Sequence, residues 1–154
     1  MNTAYSLRPV EDGDIEWLRE LNDESYRDVI VRQFGSWDED IQREWFEKKW
    51  QQERPARIVT IGHERIGLVV LEKRKDHDWL DEILIRPDHQ RQGIGTRLLR
   101  QFIADASARG RRLRLRVLHE NHDAKRFYER LGFHTLERLE HHYLMELESI
   151  STGR

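Results

Sequence analysis

The stretch IRPDHQRQGIGTRLL, residues 85–99, constrains the chain more than any other. A short apolar run stops at Pro87, and five polar residues follow. Gly93 and Gly95 then stand where an amphipathic helix begins, its apolar positions being Ile94, Leu98, Leu99, Phe102, Ile103 and Ala106. Each glycine costs a helix about 1 kcal/mol relative to alanine. That loss is useful only where the backbone needs a positive φ or where something approaches it closely. A strand, a glycine turn and a helix in that order leave free N–H groups at the positive end of the helix dipole, which suits a phosphate or pyrophosphate. Gln90, Arg91, Gln92 and Thr96 add donors around them.

Two familiar phosphate-binding patterns do not fit. A dinucleotide fingerprint requires Gly or Ala three residues after the second glycine, where this chain has Leu98, and an acidic residue about 20 positions further on, where it has Leu115. A Walker A loop requires Gly-Lys-Ser/Thr, which does not follow.

The chain of 154 residues has room for one domain with one hydrophobic core. Its charged fraction is 36%, yet the formal net charge is only −2, which argues against a uniformly basic nucleic-acid binder. With no cysteine, the sequence has no disulfides, thiolate metal sites or thiol nucleophiles. Its eight histidines lack a helical H-x-x-x-H spacing, so no metal is expected. The opening MNTAYSLRPVEDGD lacks the pattern of a signal peptide. The longest apolar stretch, residues 66–71, is too short to span a bilayer. A cytoplasmic protein is the expectation. Residues 1–53 hold fourteen acidic against seven basic residues, whereas residues 86–116 hold nine arginines against Asp88 and Asp105. These blocks are either solvated faces of opposite sign, or a basic stretch meeting an anion and an acidic one meeting a cation.

The apolar periodicity predicts an order β-α-α-β-β-β-α-β-α-β-β, an α/β domain on a mixed, mostly antiparallel sheet flanked by about four helices. YSLRPV opens as a strand. A helix follows from about Asp14, with Ile15, Leu18 and Leu21 on one face. Ser36 and Glu39 match a capping box for a second helix whose stripe is Ile41, Trp45 and Trp50. RIVTI and RIGLVVLEK form a hairpin, and WLDEILI a fourth strand on which Asp81 and Glu82 point to opposite faces. RLRLRVL is a fifth strand. Asn121 or Asp123 caps a short helix closed by Gly132, and two strands end the fold.

Gln90-x-x-Gly93-x-Gly95 resembles the Q/R-x-x-G-x-G/A signature of the GNAT superfamily of N-acetyltransferases, and NHDAKRFYERLGF, residues 121–133, resembles the second marker of that family. The resemblance implies a single GNAT-like domain over residues 1–148 with a flexible tail at 149–154. It implies fourth and fifth strands that splay apart, with the pantetheine of acetyl-CoA lying in the gap along the backbones of Ile83, Leu84 and Ile85. Residues Arg91, Gln92, Gly93, Ile94, Gly95 and Thr96 would hold the pyrophosphate, and Asn121 would contact the cofactor unless it only caps its helix. Tyr128 matches the residue that donates a proton toward the departing thiolate. The base differs between relatives. Some carry an acid at the position of Asp81, others on the fifth strand, where this chain departs with Arg116. Glu82 is favoured here over Asp81.

The resemblance therefore implies transfer of an acetyl group from acetyl-CoA to a primary amine by direct attack. Small molecules and protein amines both remain open as acceptors, as does pairing of two copies. The alternative is a non-catalytic acyl-CoA sensor, or a module touching nucleic acid through Arg112, Arg114 and Arg116, which alternate along one strand face. The acidic excess of residues 1–53 points to a cationic acceptor, with Phe34 and Trp37 as an apolar wall and Asp38, Glu39 and Asp40 as the attracting charges.

Overall fold

The computed structural model describes residues 4–90 and 92–148. Along the chain run β1 (Ser6–Pro9), α1 (Ile15–Phe34), α2 (Glu39–Gln51), β2 (Ala56–Ile61), β3 (Glu64–Lys73), β4 (His77–Ile85), α3 (Ile94–Ala108), β5 (Arg112–Leu118), α4 (His122–Arg130), β6 (His134–Arg138) and β7 (His142–Leu147). Short 3-10 turns precede α1 and follow β4. The strands form one mixed sheet in the order β1-β2-β3-β4-β5-β7-β6. Every neighbouring pair is antiparallel except β4 and β5, which run parallel through the α3 crossover. This is the expected α/β architecture and element order. The tail at 149–154 lies outside the described residues.

Alternation along the strands sends apolar side chains to both faces of the sheet. On one face Ile94, Leu98, Leu99 and Phe102 of α3 pack with Leu113, Leu115 and Val117 of β5 and Met145 of β7. On the other, Leu18 and Leu21 of α1 and Phe46 of α2 pack with Ile58, Leu68, Val70 and Leu84. Burying side chains of this size contributes about 1.5–3 kcal/mol each. α1 and α2 thus cover one face, and α3 and α4 the other.

The turn between α1 and α2 differs from the sequence expectation. Gly35 ends α1 at φ 90°, and its N–H bonds Val31 O at 2.8 Å. The cap of α2 is Asp38, not Ser36, because the Asp38 carboxylate accepts from the N–H groups of Asp40 and Ile41, both at 3.0 Å. Glu39 is instead the first helical residue and pairs with Arg27. The buried face of α2 also differs from the expected stripe. Phe46 becomes the buried residue, while Ile41 and Trp45 are exposed.

Two irregularities in β4 shape the site. The register with β3 slips so that Val70 faces Glu82 while Leu71 faces Leu80, leaving Asp81 as the extra residue of a bulge. On the other side, β4 pairs with β5 only from His77–Arg112 to Leu80–Leu115. Beyond Leu80 the two strands part, as expected. The closed end of the fork is held by Asp78, whose buried carboxylate is bonded by Arg109 and, at 2.8 Å, by Arg111 Nε.

Candidate active site

A cleft of about 530 Å³ opens where β4 and β5 separate. Its walls draw on both faces of the sheet. Ile83, Leu115, Val117, Ala124 and Tyr128 line it on the α3–α4 side, and Tyr26, Phe46, Lys49, Glu82 and Arg116 on the α1–α2 side. The gap is therefore a passage through the sheet. A donor entering from one side and an acceptor from the other would meet near the bulge.

The bulge breaks the alternation that would have sent Asp81 and Glu82 to opposite faces. Both carboxylates reach one guanidinium: Arg54 Nη2 bonds Asp81 Oδ2 at 2.6 Å and Glu82 Oε1 at 2.8 Å. Lys49 Nζ lies 3.0 Å from Glu82 Oε1, and the Tyr26 hydroxyl donates to Glu82 Oε2 at 2.8 Å. Burial pushes the Glu82 carboxyl up, but Lys49 and Arg54 outweigh that and hold it below the usual range. Burial and the adjacent Glu82 charge raise the Tyr26 phenol well above its usual value, so it stays a donor.

Tyr128 lies on α4 with its ring against Phe127 and Phe133, at centroid distances of 5.5 and 5.8 Å. Tyr128 lines the cleft, and its hydroxyl has no hydrogen-bond partner among the described residues. Burial pushes its phenol up to about 12. Asn121 caps α4, its Oδ1 accepting from Ala124 N at 3.3 Å, and it also lines the cleft.

The glycine turn fits a phosphate. Gly93 has φ 76°, a left-handed conformation that L side chains rarely adopt, and no side chain caps α3. A Cβ on Gly95 would meet only Ile85 and Phe127, both at 4.0 Å, which is ordinary contact. Internal packing therefore does not demand glycine at 95, and among the described residues the first-turn amides of Ile94, Gly95 and Thr96 have no partner, which leaves them available to an anion. Gln92 is exposed beside them. Gln90 is not one of the free donors: its Nε2 bonds Ile85 O at 2.8 Å and ties the turn to the end of β4. That bond also occupies one of the backbone groups expected for the pantetheine. Arg91 lies outside the described residues.

The acidic loop does not serve the cleft. Asp38 caps α2, Glu39 pairs with Arg27, and Trp37 stacks under Arg27 at 5.3 Å from ring centroid to guanidinium. Of the expected apolar wall Phe34 lines the cleft, edge-on to His141 at 5.2 Å, but Trp37 does not, and Trp45 and Phe46 complete the wall in its place. Two of the three arginines of the β5 stripe are engaged within the fold. Arg114 Nε bonds the buried Glu146 at 2.6 Å, Arg112 lies 3.6 Å from the same carboxylate, and Arg116 faces the cleft. Tyr26, Lys49 and Arg54 escaped the sequence reading. The available signal was the i, i+4 series Leu18, Asn22, Tyr26, which places polar side chains on the inward face of α1.

A parallel strand pair that parts at a bulge, followed by a glycine turn and a helix, defines the acetyltransferases of the GNAT family. The model of the acetyltransferase (GNAT) family matches residues 16–133, and the chain belongs to that family. An uncharacterised N-acetyltransferase of Methanocaldococcus jannaschii is 31% identical over 148 residues, covering 87% of this chain and 62% of that protein, so the chain spans less than two thirds of that relative. Among solved structures, the PaiA N-acetyltransferase of Thermoplasma acidophilum in complex with coenzyme A superposes with a TM-score of 0.75 at 19% identity, covering 94% of this chain and 99% of the other. The ribosomal-protein-S18-alanine N-acetyltransferase of Escherichia coli gives 0.67 at 20% identity, covering 97% of each. Among the described residues no helix is long and apolar enough to cross a membrane.

Proposed function

We propose that the protein is a cytoplasmic N-acetyltransferase that moves an acetyl group from acetyl-CoA to a primary amine, with Tyr128 and Glu82 as its catalytic pair. The observation that carries this reading is that Tyr128, whose hydroxyl has no hydrogen-bond partner among the described residues, lines the cleft at the gap between β4 and β5 together with the bulge carboxylate Glu82. The open amides at Ile94, Gly95 and Thr96, with Gln92, Gly93 and the neighbouring Arg91, suit the pyrophosphate. The edge of β4 left without a strand partner at Ile83 and Leu84 suits the pantetheine amides, with the Ile85 carbonyl already taken by Gln90, and Asn121 lines the same cleft. Acetyl-CoA would supply the activated thioester.

Tyr128 keeps its proton at any ordinary pH. Full transfer to a thiolate whose acid lies near 8.5 would run uphill by about 5 kcal/mol, so its part is to donate a hydrogen bond where negative charge gathers on sulfur. Glu82 is a weak proton acceptor. Taking a proton directly from an ammonium near 10.4 would cost about 8 kcal/mol or more. Its contribution is a fixed negative charge that favours the positive nitrogen formed on attack, while the proton leaves through water in the open cleft. A cationic acceptor is not carried forward, because Asp38 and Glu39 are engaged elsewhere and do not line the cleft.

The test has two parts. Acetyl-CoA at 100 times its dissociation constant should add about 2.7 kcal/mol of stability, several degrees in melting temperature. A panel of amines should then release free thiol from it. Absence of both would end the reading.

A further inference from the structure

The β5 position where some relatives carry an acid holds Arg116 here, and its surroundings say what it is for. Arg116 lies opposite Leu144 in the β5–β7 register, just beyond the last β4–β5 pair. Its neighbours Leu115 and Val117 point into the core beneath α3, so its side chain is on the α1–α2 face, the side that also carries Tyr26, Lys49 and Glu82. It is exposed and lines the cleft. Among the described residues it has neither a hydrogen bond nor an ion pair, unlike Arg112 and Arg114 on the same strand face, which share Glu146.

The nearby carboxylates are already matched. Asp81 and Glu82 are held by Arg54 and Lys49. The guanidinium at 116 is an additional positive charge with no counter-ion, close enough to His142 to help hold that imidazole neutral. A cationic amine would be repelled there. A carboxylate would be bound, since the planar fork of arginine matches its two oxygens. The same face of the cleft exposes apolar surface: Phe34 is 48% and Trp45 59% exposed, and both line the wall with Ile30 and Phe46. Large aromatic side chains left open beside a charged group fit a ligand with a bulky apolar part.

We propose that the acceptor is a compact amine bearing a carboxylate and an apolar group, an aliphatic or aromatic α-amino acid, with Arg116 as the residue that binds its carboxylate. This rests on the acetyltransferase reading. The chain's own residues then divide the ligand between them: Arg116 takes the carboxylate, Phe34 and Trp45 take the side chain, and the amine is directed toward Tyr128 and the bulge.

The experiment compares L-phenylalanine and L-leucine with their amides, with phenethylamine and with spermidine, following thiol release from acetyl-CoA. The free amino acids should be acetylated with kcat/KM at least tenfold above their amides. Arg116→Ala should raise KM for L-phenylalanine at least tenfold and shrink the acid-over-amide ratio toward one, and Arg116→Lys should restore part of it. Amides or spermidine acetylated as well as or better than the acids would overturn the proposal, as would a ratio that ignores Arg116→Ala. Thiol release with other amines but with none of these would overturn it alone. No release with any amine, together with no thermal shift from acetyl-CoA, would overturn the acetyltransferase reading as well.

Discussion

The Tyr26 hydroxyl donates to Glu82 Oε2 at 2.8 Å, joining the middle of α1 to the bulge of β4 across 56 positions of sequence. Together with Lys49 and Arg54 this bond fixes the one buried carboxylate of the cleft in a single charged state. Glu82→Gln should therefore act twice. Removing the charge leaves Lys49 and part of Arg54 without a partner, a destabilisation of about 3 kcal/mol, at the low end for breaking a buried pair because Lys49 can turn to water. Turnover should fall at least tenfold in the fraction that stays folded. Chemical denaturation and single-turnover kinetics on the same samples separate the two, and turnover like that of the wild type would remove Glu82 from the catalytic pair.

Tyr128→Phe deletes one oxygen that bonds to nothing else among the described residues, so the melting temperature should move by no more than a degree or two. Turnover should fall by about 100-fold. With its phenol at about 12, Tyr128 also predicts that the wild-type rate shows no alkaline loss up to pH 10 from this group. A basic limb near pH 9 that vanishes in Tyr128→Phe would contradict that assignment.

His142 predicts a pH dependence of stability. Burial first, then the charges of Arg116, His141 and His119, lower its imidazole to about 4. The unfolded chain, with an ordinary histidine near 6.5, binds more protons than the fold between those values. Stability should therefore decline as pH falls from 7 toward 4, and His142→Gln should flatten that decline. Thermal melts at half-unit pH steps give the answer, and identical slopes in the two proteins would assign the loss to other groups.

Gly95→Ala should stabilise the unliganded protein by up to about 1 kcal/mol, since the added methyl meets only ordinary contacts and removes a helix penalty. It should leave acetyl-CoA binding largely intact. Gly95→Val, which adds bulk toward the open amides, should abolish the thermal shift from acetyl-CoA while the protein stays folded. Equal affinity in all three would mean that no phosphate approaches this turn.

Most of the element order was legible because the period of apolar residues changes cleanly between strands and helices. The α3 stripe and the alternation of Arg with Leu in β5 are the clearest cases. What was not legible depends on single bonds or on distant chain segments. The Asp38 cap competes with a Ser36–Glu39 pattern of equal appearance, and only the turn set by Gly35 decides between them. That the fourth-strand bulge falls at Asp81 itself is a property of the β3 register, so its place could not be read from β4 alone, and with it went the relation between Asp81 and Glu82. Tyr128 and the glycine turn could be placed from sequence because each belongs to one local motif, and they stand at the cleft and at the start of α3 respectively. Tyr26, Lys49 and Arg54 were missed because each meets Glu82 from another element.

An open sheet ordinarily has two edges, and this one has four. Beyond Leu80 and Leu115 the inner margins of β4 and β5 are themselves edges, placed at the centre of the molecule instead of its rim. Along residues 81–85 roughly every other backbone group faces the gap without a strand partner. An exposed edge invites an added strand, and proteins usually blunt it with charge, a bulge or a covering element. Here the bulge and the charged side chains of Asp81, Glu82 and Arg116 guard an edge that another protein's strand cannot reach, since α1, α2 and α4 stand over the gap. The fold thus keeps an opening in the middle of its own sheet, and the cross-section of that opening limits what can enter it.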